Sequence, residues 1–305
     1  MQAPSPPDAR HGFAYAFAAY AAWGVFPLYF KALHGIDAPE ILAHRVAWSA
    51  VFLAALVSAQ GRWKEYARAF RSVRSIAIYA LSTALVTTNW LFYIWSVVTG
   101  HVLDASLGYF MNPLVNVLLG FLFLGETLRP RQAMAVGLAA LGVILLVLRV
   151  GRFPWVALSL AFSFGGYGLV RKRAAIEPIT GLLVETSLIA PLALGLIGVR
   201  AWHGTGALGR DVGTTVLLLL AGVITAVPLI WFAHGVRNLR LATMGLIQFM
   251  TPTLQFLFAV LLFHEPFTTA HGVAFGCIWG SLAIYTADVF WGLRHRARPA
   301  VVSSK

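Results

Sequence analysis

Two short stretches of this chain place hydrogen-bonding side chains at helical spacing within otherwise apolar sequence. Each set is spaced i, i+3 and i+7, and the residues are Tyr109, Asn112 and Asn116 in the first stretch and Gln248, Thr251 and Gln255 in the second. Residues at this spacing share one face of a helix. Such a face can offer hydrogen bonds to a small molecule bound near the middle of a membrane. The alternative is hydrogen bonding between packed helices.

A proline accompanies each polar stretch. Pro113 directly follows Asn112, and Pro252 directly follows Thr251. Proline lacks a backbone N–H, so it frees a carbonyl one turn earlier and can kink a helix. We therefore expect Pro113 and Pro252 to act as hinges beside the polar positions.

Arg45 and Glu185 are the ionisable residues placed deepest within apolar runs. A charge at the centre of a membrane helix costs at least about 2.5–3.5 kcal/mol, so each is expected to face the protein interior or a wet cavity. The sequence leaves three interpretations open: a salt bridge between the two, separate gating charges, or helix packing alone. As gating charges, Arg45 would lie toward the external side and Glu185 toward the cytoplasmic side. If protons drive transport, Glu185 is the carboxylate expected to carry them.

Aromatic side chains inside a helical bundle can stack on a flat or cationic molecule. We expect Trp23, Trp90 and Tyr93 to form the walls of such a cavity. Packing of the same rings within the core is the alternative.

The motifs of several common enzymes are absent from the sequence. There is no HExxH zinc helix, no GxSxG elbow and no Walker A loop. The one cysteine, Cys277, excludes an intrachain disulfide and a cysteine-based metal site. We expect no catalytic residues, no metal and no cofactor.

Composition indicates a membrane protein. Of the 305 residues, 59% are hydrophobic and 11% are charged, whereas soluble domains average about 25% charged residues. Ten apolar runs of roughly 20 residues are long enough to cross a bilayer, and lipid requires each to be a helix. The runs are Phe13–Leu33, Pro39–Ala59, Ser75–Val98, Val102–Leu124, Gln132–Leu148, Trp155–Val170, Ile179–Val199, Thr214–Val236, Leu241–Phe263 and Ala270–Trp291. The predicted fold class is an all-α integral membrane protein with ten transmembrane helices.

Positive charge is distributed unevenly between these runs. The formal net charge is +12, but the basic residues form no single patch, which argues against nucleic acid as a partner. They are concentrated in alternate gaps, and such gaps face the cytoplasm. Both termini are therefore expected in the cytoplasm.

The two halves of the chain echo each other in sequence. Phe110-Met111 corresponds to Phe249-Met250, and Glu126 corresponds to Glu265. We predict two repeats, 13–149 and 154–291, between a tail at 1–12 and a basic tail at 292–305. Because each repeat contains five spans, an odd number, the second enters the membrane from the opposite side. Inverted repeats of this kind are typical of secondary transporters with a central binding site.

A ridge of glycines runs along the last apolar run at a spacing of four residues. Gly272, Gly276 and Gly280 would let another helix approach closely. That helix could belong to the same chain or to a second copy in a homodimer.

A set of short motifs is spread over the chain from about Gly12 to Trp291. They are Trp23-Gly24, Pro27-Leu28-Tyr29, Glu40 to Arg45, Asn89-Trp90, Tyr93-Ile94-Trp95, Ser106 to Leu114, Tyr167-Gly168-Leu169, Glu185-Thr186, Thr251-Pro252 and Glu265-Pro266. Together these motifs resemble the RarD-type proteins of the EamA family, in the drug/metabolite transporter superfamily. Phe249 departs from the pattern, where a tyrosine is expected after Gln248.

The resemblance implies a multi-pass permease of the bacterial inner membrane that exports metabolites, amino acids or drugs such as chloramphenicol. An intramembrane enzyme acting on a lipid-linked substrate would need clustered carboxylates or histidines at one membrane face, and Asp104, Glu126, Asp211 and Glu265 are dispersed. A membrane scaffold, the third possibility, would not need paired polar stretches.

Overall fold

In the computed structural model, residues 9–125, 127, 130–150, 153–171, 178–238 and 247–296 are described. Regular structure in these ranges is helical, without strands. The helices are α1 (Ala9–Ala32), α2 (Ala38–Ala59), α3 (Trp63–Arg68), α4 (Val73–Val98), α5 (Val102–Leu124), α6 (Pro130–Val150), α7 (Trp155–Arg171), α8 (Pro178–Trp202), α9 (Val212–Asn238), α10 (Met250–Leu257) and α11 (Thr269–Arg296). A π-helical turn, Phe258–Leu262, extends α10.

Seven of the described helices are long and apolar enough to cross a membrane. They are α1, α2, α4, α5, α6, α8 and α9, and a shorter apolar segment covers Met250–Leu262. The chain is thus a multi-pass membrane protein. The full count of ten spans stays a prediction, and part of the ninth run, residues 241–246, lies outside the described residues, as does Glu126.

The chain divides into two compact units, each discontinuous in sequence. The first contains residues 1–109 and 155–266, and the second contains residues 110–154 and 267–305. These units follow contacts in space, whereas the predicted repeats follow internal sequence similarity. The repeat boundaries at 13–149 and 154–291 stay a prediction.

Close helix packing organises the first unit. Helix α2 packs against α4, α8 and α9, and α1 packs against α9 and α10. Gly222 of α9 shows how close this packing is, because a Cβ built there would lie 2.4 Å from the backbone carbonyl of Trp48 on α2. Small residues allow such approach between membrane helices, where lipid gives no hydrophobic drive for association.

In the second unit α6 packs against α11. A Cβ built on Gly142 would lie 2.6 Å from the Cβ of Cys277, and the Ser281 hydroxyl donates to the carbonyl of Ala135. Gly280 of the predicted glycine ridge faces Leu138 of α6, and a Cβ built on Gly276 would meet nothing within 4 Å. The homodimer contact stays a prediction.

Acidic side chains cap two of the helices from outside the membrane spans. Asp211 accepts a hydrogen bond of 2.8 Å from the Thr214 backbone N–H at the start of α9, and this bond lowers the pKa of Asp211. Glu265 accepts backbone N–H groups of Val102 and Leu103 at the start of α5, each at 2.8 Å. Burial nevertheless raises the pKa of Glu265 above its ordinary value.

Candidate functional site around Arg45

Arg45 lies within α2, about 10 Å from the start of the helix at 1.5 Å per residue. The residue is only 5% exposed. Its Nε donates a 2.9 Å hydrogen bond to the hydroxyl of Thr225 on α9, and that hydroxyl donates in turn to the carbonyl of Ala221 at 2.7 Å. The close contact at Gly222, one turn before Thr225, holds the two helices near enough for this bond.

Aromatic rings surround the Arg45 guanidinium. Its carbon lies 4.3 Å from the ring centre of Trp90, 5.7 Å from that of Phe30 and 5.9 Å from that of Phe26. All three distances are within the range of cation–π attraction. The phenol groups of Tyr29, Tyr93 and Tyr109 also lie within electrostatic range of the guanidinium.

Arg45 is incompletely bonded in this setting. Its Nη1 is buried and has no hydrogen-bond partner among the residues that the structure describes. No carboxylate among those same residues forms an ion pair with Arg45. The site thus presents a positive charge and a free N–H donor.

Gln255 of α10 supplies a second incompletely bonded group. Its Nε2 donates to the Tyr93 hydroxyl at 3.1 Å and to the Trp23 carbonyl at 3.3 Å. The carbonyl can only accept, so it fixes which end of the amide is the NH₂ group. The other end, Oε1, is buried and has no donor in the described part of the chain.

A hydrogen-bonded chain holds Tyr93 and Tyr109 in place. Their rings meet edge to face at 5.6 Å, and the Tyr109 hydroxyl donates to Asn89 Oδ1 at 3.2 Å. Asn89 Nδ2 donates to the carbonyl of Leu160 at 3.0 Å and to the hydroxyl of Ser163 at 3.1 Å. Helix α7 therefore anchors Asn89, and Asn89 orients Tyr109. We call Arg45, Trp90, Tyr93, Tyr109 and Gln255 the Arg45 cluster.

Comparison with known proteins places the chain in a family. Residues 10–148 match the EamA-like transporter family. "Protein RarD" of Salmonella typhi is 44% identical over 94% of this chain and 98% of its own length. "Uncharacterized transporter YojE" of Bacillus subtilis is 42% identical, over 93% of this chain and 96% of its own length.

The chain is a RarD-type member of the EamA-like transporter family. "Chloramphenicol-sensitive protein RarD" of Pseudomonas aeruginosa is a more distant relative, 30% identical over 94% of this chain and 97% of its own length. A solved structure described as "Crystal structure of protein" is similar in fold, with a TM-score of 0.56 and 17% identity over 90% of this chain and 96% of that one. The family establishes a membrane transporter and agrees with the motifs from which the resemblance was inferred.

Within this RarD-type protein, the predicted gating charges Arg45 and Glu185 do not pair with each other. Glu185, on α8, is 1% exposed and accepts hydrogen bonds from Ser82 at 2.5 Å and Tyr167 at 3.2 Å. Arg171, at the end of α7, completes this second cluster with an ion pair of 3.5 Å to Glu185. Glu185 is therefore fully provided with partners, in contrast to Arg45.

Trp23 is expected to form a wall of the cavity, and whether its ring contacts a substrate stays a prediction. Its ring packs on Tyr20 at 5.4 Å and Phe232 at 5.5 Å, and its backbone carbonyl reaches Gln255. Thr251 donates to the Tyr20 carbonyl at 2.7 Å. Side chains of the second polar stretch are thus divided between helix packing, for Thr251, and the Arg45 cluster, for Gln255.

The remaining residues of the polar stretches lie in several settings. Gln248 is half-buried in the turn before α10, and its carbonyl accepts the Thr251 N–H at 3.3 Å. Pro252 lies in the first turn of α10, where a missing N–H costs no intrahelical bond. Its carbonyl accepts the Ser106 hydroxyl at 2.8 Å.

Asn112, Pro113 and Asn116 belong to the second compact unit. Pro113 is buried inside α5, Asn112 is buried, and Asn116 is exposed. Asn112 Oδ1 has no hydrogen-bond partner among the described residues. Whether these three residues contact a substrate stays a prediction.

Sequence reasoning missed the partners of both charged residues. Thr225, Ser82 and Arg171 became visible only when helices distant in sequence were placed side by side. One available signal was that Thr225 interrupts the apolar run Thr214–Val236 at its centre. Among the described residues there is no group of three or more histidine, cysteine, aspartate or glutamate side chains that could hold a metal.

Proposed function

We propose that this RarD-type protein is a secondary transporter that exports a small organic molecule by alternating access and binds it at the Arg45 cluster. The observation that carries the proposal is the pair of buried, incompletely bonded groups, Arg45 Nη1 and Gln255 Oε1. Buried polar groups in proteins are almost always hydrogen-bonded. A bound substrate would satisfy both.

The proposed architecture has ten membrane helices in two inverted five-helix repeats, with both termini in the cytoplasm of a bacterium and the spans in its inner membrane. In support, the seven helices long enough to cross a membrane begin and end within four residues of predicted apolar runs. The bias of basic residues toward alternate gaps supports the orientation. Alternating access follows if one repeat moves against the other around the site.

The proposed binding residues fall into three groups. Arg45 and Gln255 supply charge and hydrogen bonds, Trp90, Tyr93 and Tyr109 form the walls, and Trp23 holds Gln255 through its backbone carbonyl. Asn112, Asn116, Gln248 and Thr251 are proposed as contacts in other stages of the transport cycle, with Pro113 and Pro252 as hinges.

Chloramphenicol belongs in a substrate panel because one relative is called a chloramphenicol-sensitive protein. The name of that relative describes a different protein and does not assign a substrate to this one. The panel therefore also includes amino acids and organic acids. The experiment is uptake and efflux of labelled compounds in proteoliposomes, with and without a pH gradient.

The variants to compare are Arg45→Gln, Asn112→Ala and the control Arg68→Gln, which changes an exposed arginine on the short helix α3. We expect wild type and Arg68→Gln to move at least one compound. Arg45→Gln is expected to lower that flux at least tenfold. Flux that survives Arg45→Gln unchanged would place binding elsewhere, and product formation without net flux would indicate an enzyme.

A further inference from the structure

The Arg45 cluster contains a buried cation that has no counter-ion among the residues the structure describes. We infer that Arg45 binds the carboxylate of an organic anion, so that the transported substrate is an organic acid rather than a neutral molecule. This inference rests on the proposed function, because it names the class of substrate for the same site.

The first step of the argument is energetic. A charged side chain at the centre of a membrane helix costs at least about 2.5–3.5 kcal/mol. The Thr225 hydroxyl accepts from Nε, and Trp90 covers the guanidinium at 4.3 Å. A desolvated cation–π contact contributes about 2 kcal/mol and so offsets part of this cost. It does not provide a hydrogen-bond acceptor for Nη1, which has none among the described residues. An anion bound at Nη1 supplies both the missing acceptor and the missing charge.

The second step concerns the kind of anion. A phosphate group carries up to about two negative charges at neutral pH and three acceptor oxygens. In the described part of the Arg45 cluster, the unbonded donor is Arg45 Nη1. The unbonded group of Gln255 is its oxygen, Oε1, which accepts hydrogen bonds and cannot donate to an anion. A carboxylate carries a single charge, and one of its two oxygens can accept a charge-assisted hydrogen bond from Nη1. The donor count therefore favours a carboxylate.

The third step concerns the body of the substrate. Gln255 Oε1 accepts hydrogen bonds and has no donor among the described residues. A hydroxyl or ammonium group on the substrate would satisfy it. The rings of Trp90, Tyr93 and Tyr109 favour an aromatic or otherwise apolar body, because they surround the site with apolar faces and few free polar groups. The inferred substrate is a small, partly apolar carboxylic acid with a hydrogen-bond donor.

The test is a binding measurement on the purified full-length protein in detergent at neutral pH, by microcalorimetry. The probes are three acids, benzoate, 3-phenylpropionate and 3-phenyllactate, each compared with its own primary amide. The amide keeps the size and the aromatic body but removes the charge. We expect 3-phenyllactate, which has the additional hydroxyl donor, to bind most tightly, and each binding acid to exceed its amide at least tenfold in affinity.

Arg45→Gln is expected to remove the preference for acid over amide, and Arg45→Lys is expected to weaken acid binding while keeping the preference. Arg45→Lys keeps the positive charge, so it still tests the inference if Arg45→Gln does not fold. Size-exclusion chromatography shows whether each variant is folded. Gln255→Met is expected to reduce the advantage of 3-phenyllactate over the other acids. Arg68→Gln serves as the unaffected control.

Two results would overturn the inference: amides that bind wild type as tightly as the acids, or acids that bind Arg45→Gln as tightly as wild type. Failure of all three acids to bind at millimolar concentration also counts against it. Because binding is measured without flux, acid binding at Arg45 with no transport of any compound would reject the proposed function and keep the carboxylate site. Transport of neutral compounds alone, with no acid binding, would reject the carboxylate site and keep the transporter function.

Discussion

Removing Arg171 is predicted to destabilise the protein more than neutralising its partner Glu185. At 3.5 Å the two charges attract with a gross energy of about 5 kcal/mol at an effective dielectric constant of about 20. Desolvation offsets much of this energy, so the net value of the pair is smaller. The unequal burial of the two side chains, 15% exposed for Arg171 and 1% for Glu185, makes the two single changes unequal.

Arg171→Met leaves Glu185 as a buried carboxylate whose remaining side-chain partners among the described residues are the hydroxyls of Ser82 and Tyr167. Removing one partner of a buried pair costs about 3–5 kcal/mol, and the two hydroxyls place this case at the lower end, about 3 kcal/mol. Glu185→Gln leaves an arginine at the end of α7 that can extend toward water, so we expect about 1–2 kcal/mol. The double variant should cost less than the sum, with a coupling of about 1–3 kcal/mol.

The assay is SDS-induced unfolding of the four proteins in mixed micelles, followed by tryptophan fluorescence, and the double-mutant cycle gives the coupling energy. Ser82→Ala provides a matched comparison that removes one hydrogen bond and no charge. Equal destabilisation by Arg171→Met and Glu185→Gln, or additive free energies in the double variant, would refute the reasoning. Either outcome would show that Glu185 is stabilised mainly by its hydroxyl partners.

Further predictions concern helix packing, pH dependence and proton coupling. Gly222→Leu adds a side chain where even a Cβ would clash with the backbone carbonyl of Trp48, so it should separate α2 from α9 and lower the melting temperature, whereas Gly198→Leu, on an open face, should not. Burial raises the pKa of Glu265, so the protonated side chain contributes to folding stability. This stabilisation is fully present below the ordinary pKa of about 4.5 and is lost as the pH rises through the raised pKa. Melting temperatures measured against pH should show this trend in wild type and lack it in Glu265→Gln. Asp211 should show the opposite pH dependence, because its pKa is lowered in the folded protein. Its ionised carboxylate stabilises the protein above the ordinary pKa of aspartate, and this stabilisation is lost as the pH falls through the lowered pKa. Asp211→Asn should therefore be least harmful in acid. Glu185→Gln should abolish the pH dependence of transport if Glu185 carries protons. The ionisable groups around Glu185 in the described part of the chain are Arg171, Tyr167 and Tyr79. Unchanged pH dependence in this variant would exclude Glu185 as the proton carrier.

The positions of the long helices could be predicted from sequence because lipid forces each apolar run to satisfy its own backbone hydrogen bonds. The runs Pro39–Ala59 and Val102–Leu124, for example, differ from α2 and α5 by at most one residue at each end. The same reasoning could not find α3, since Trp63–Arg68 is short and charged and carries no hydropathy signal. Its start is held by a local ion pair of 2.6 Å between Arg62 and Glu65.

All five residues of the Arg45 cluster stand out in the sequence, Tyr109 and Gln255 by their helical spacing, but their contacts with one another do not. Charge and ring type single out Arg45, Trp90 and Tyr93, because a buried cation needs compensation and rings can supply it. The role of Trp23 could not be predicted, since its backbone carbonyl rather than its ring reaches Gln255. The placement of Pro252 depends on where α10 begins, and a continuous apolar run from Leu241 to Phe263 does not show that boundary.

Arg45 and Glu185 show how similar sequence signals can lead to different roles. Each is an ionisable residue seven positions from the first residue of its helix, at Ala38–Ala59 and Pro178–Trp202 respectively. Glu185 meets a cation and two hydroxyl donors, so its charge is compensated by the protein itself. Arg45 meets one hydroxyl and aromatic faces, which leave a donor free. Because Glu185, on α8, has its own partners on α4 and α7 and Arg45 keeps an unbonded donor among the described residues, Arg45 is the better candidate for substrate contact and Glu185 for holding α4, α7 and α8 together.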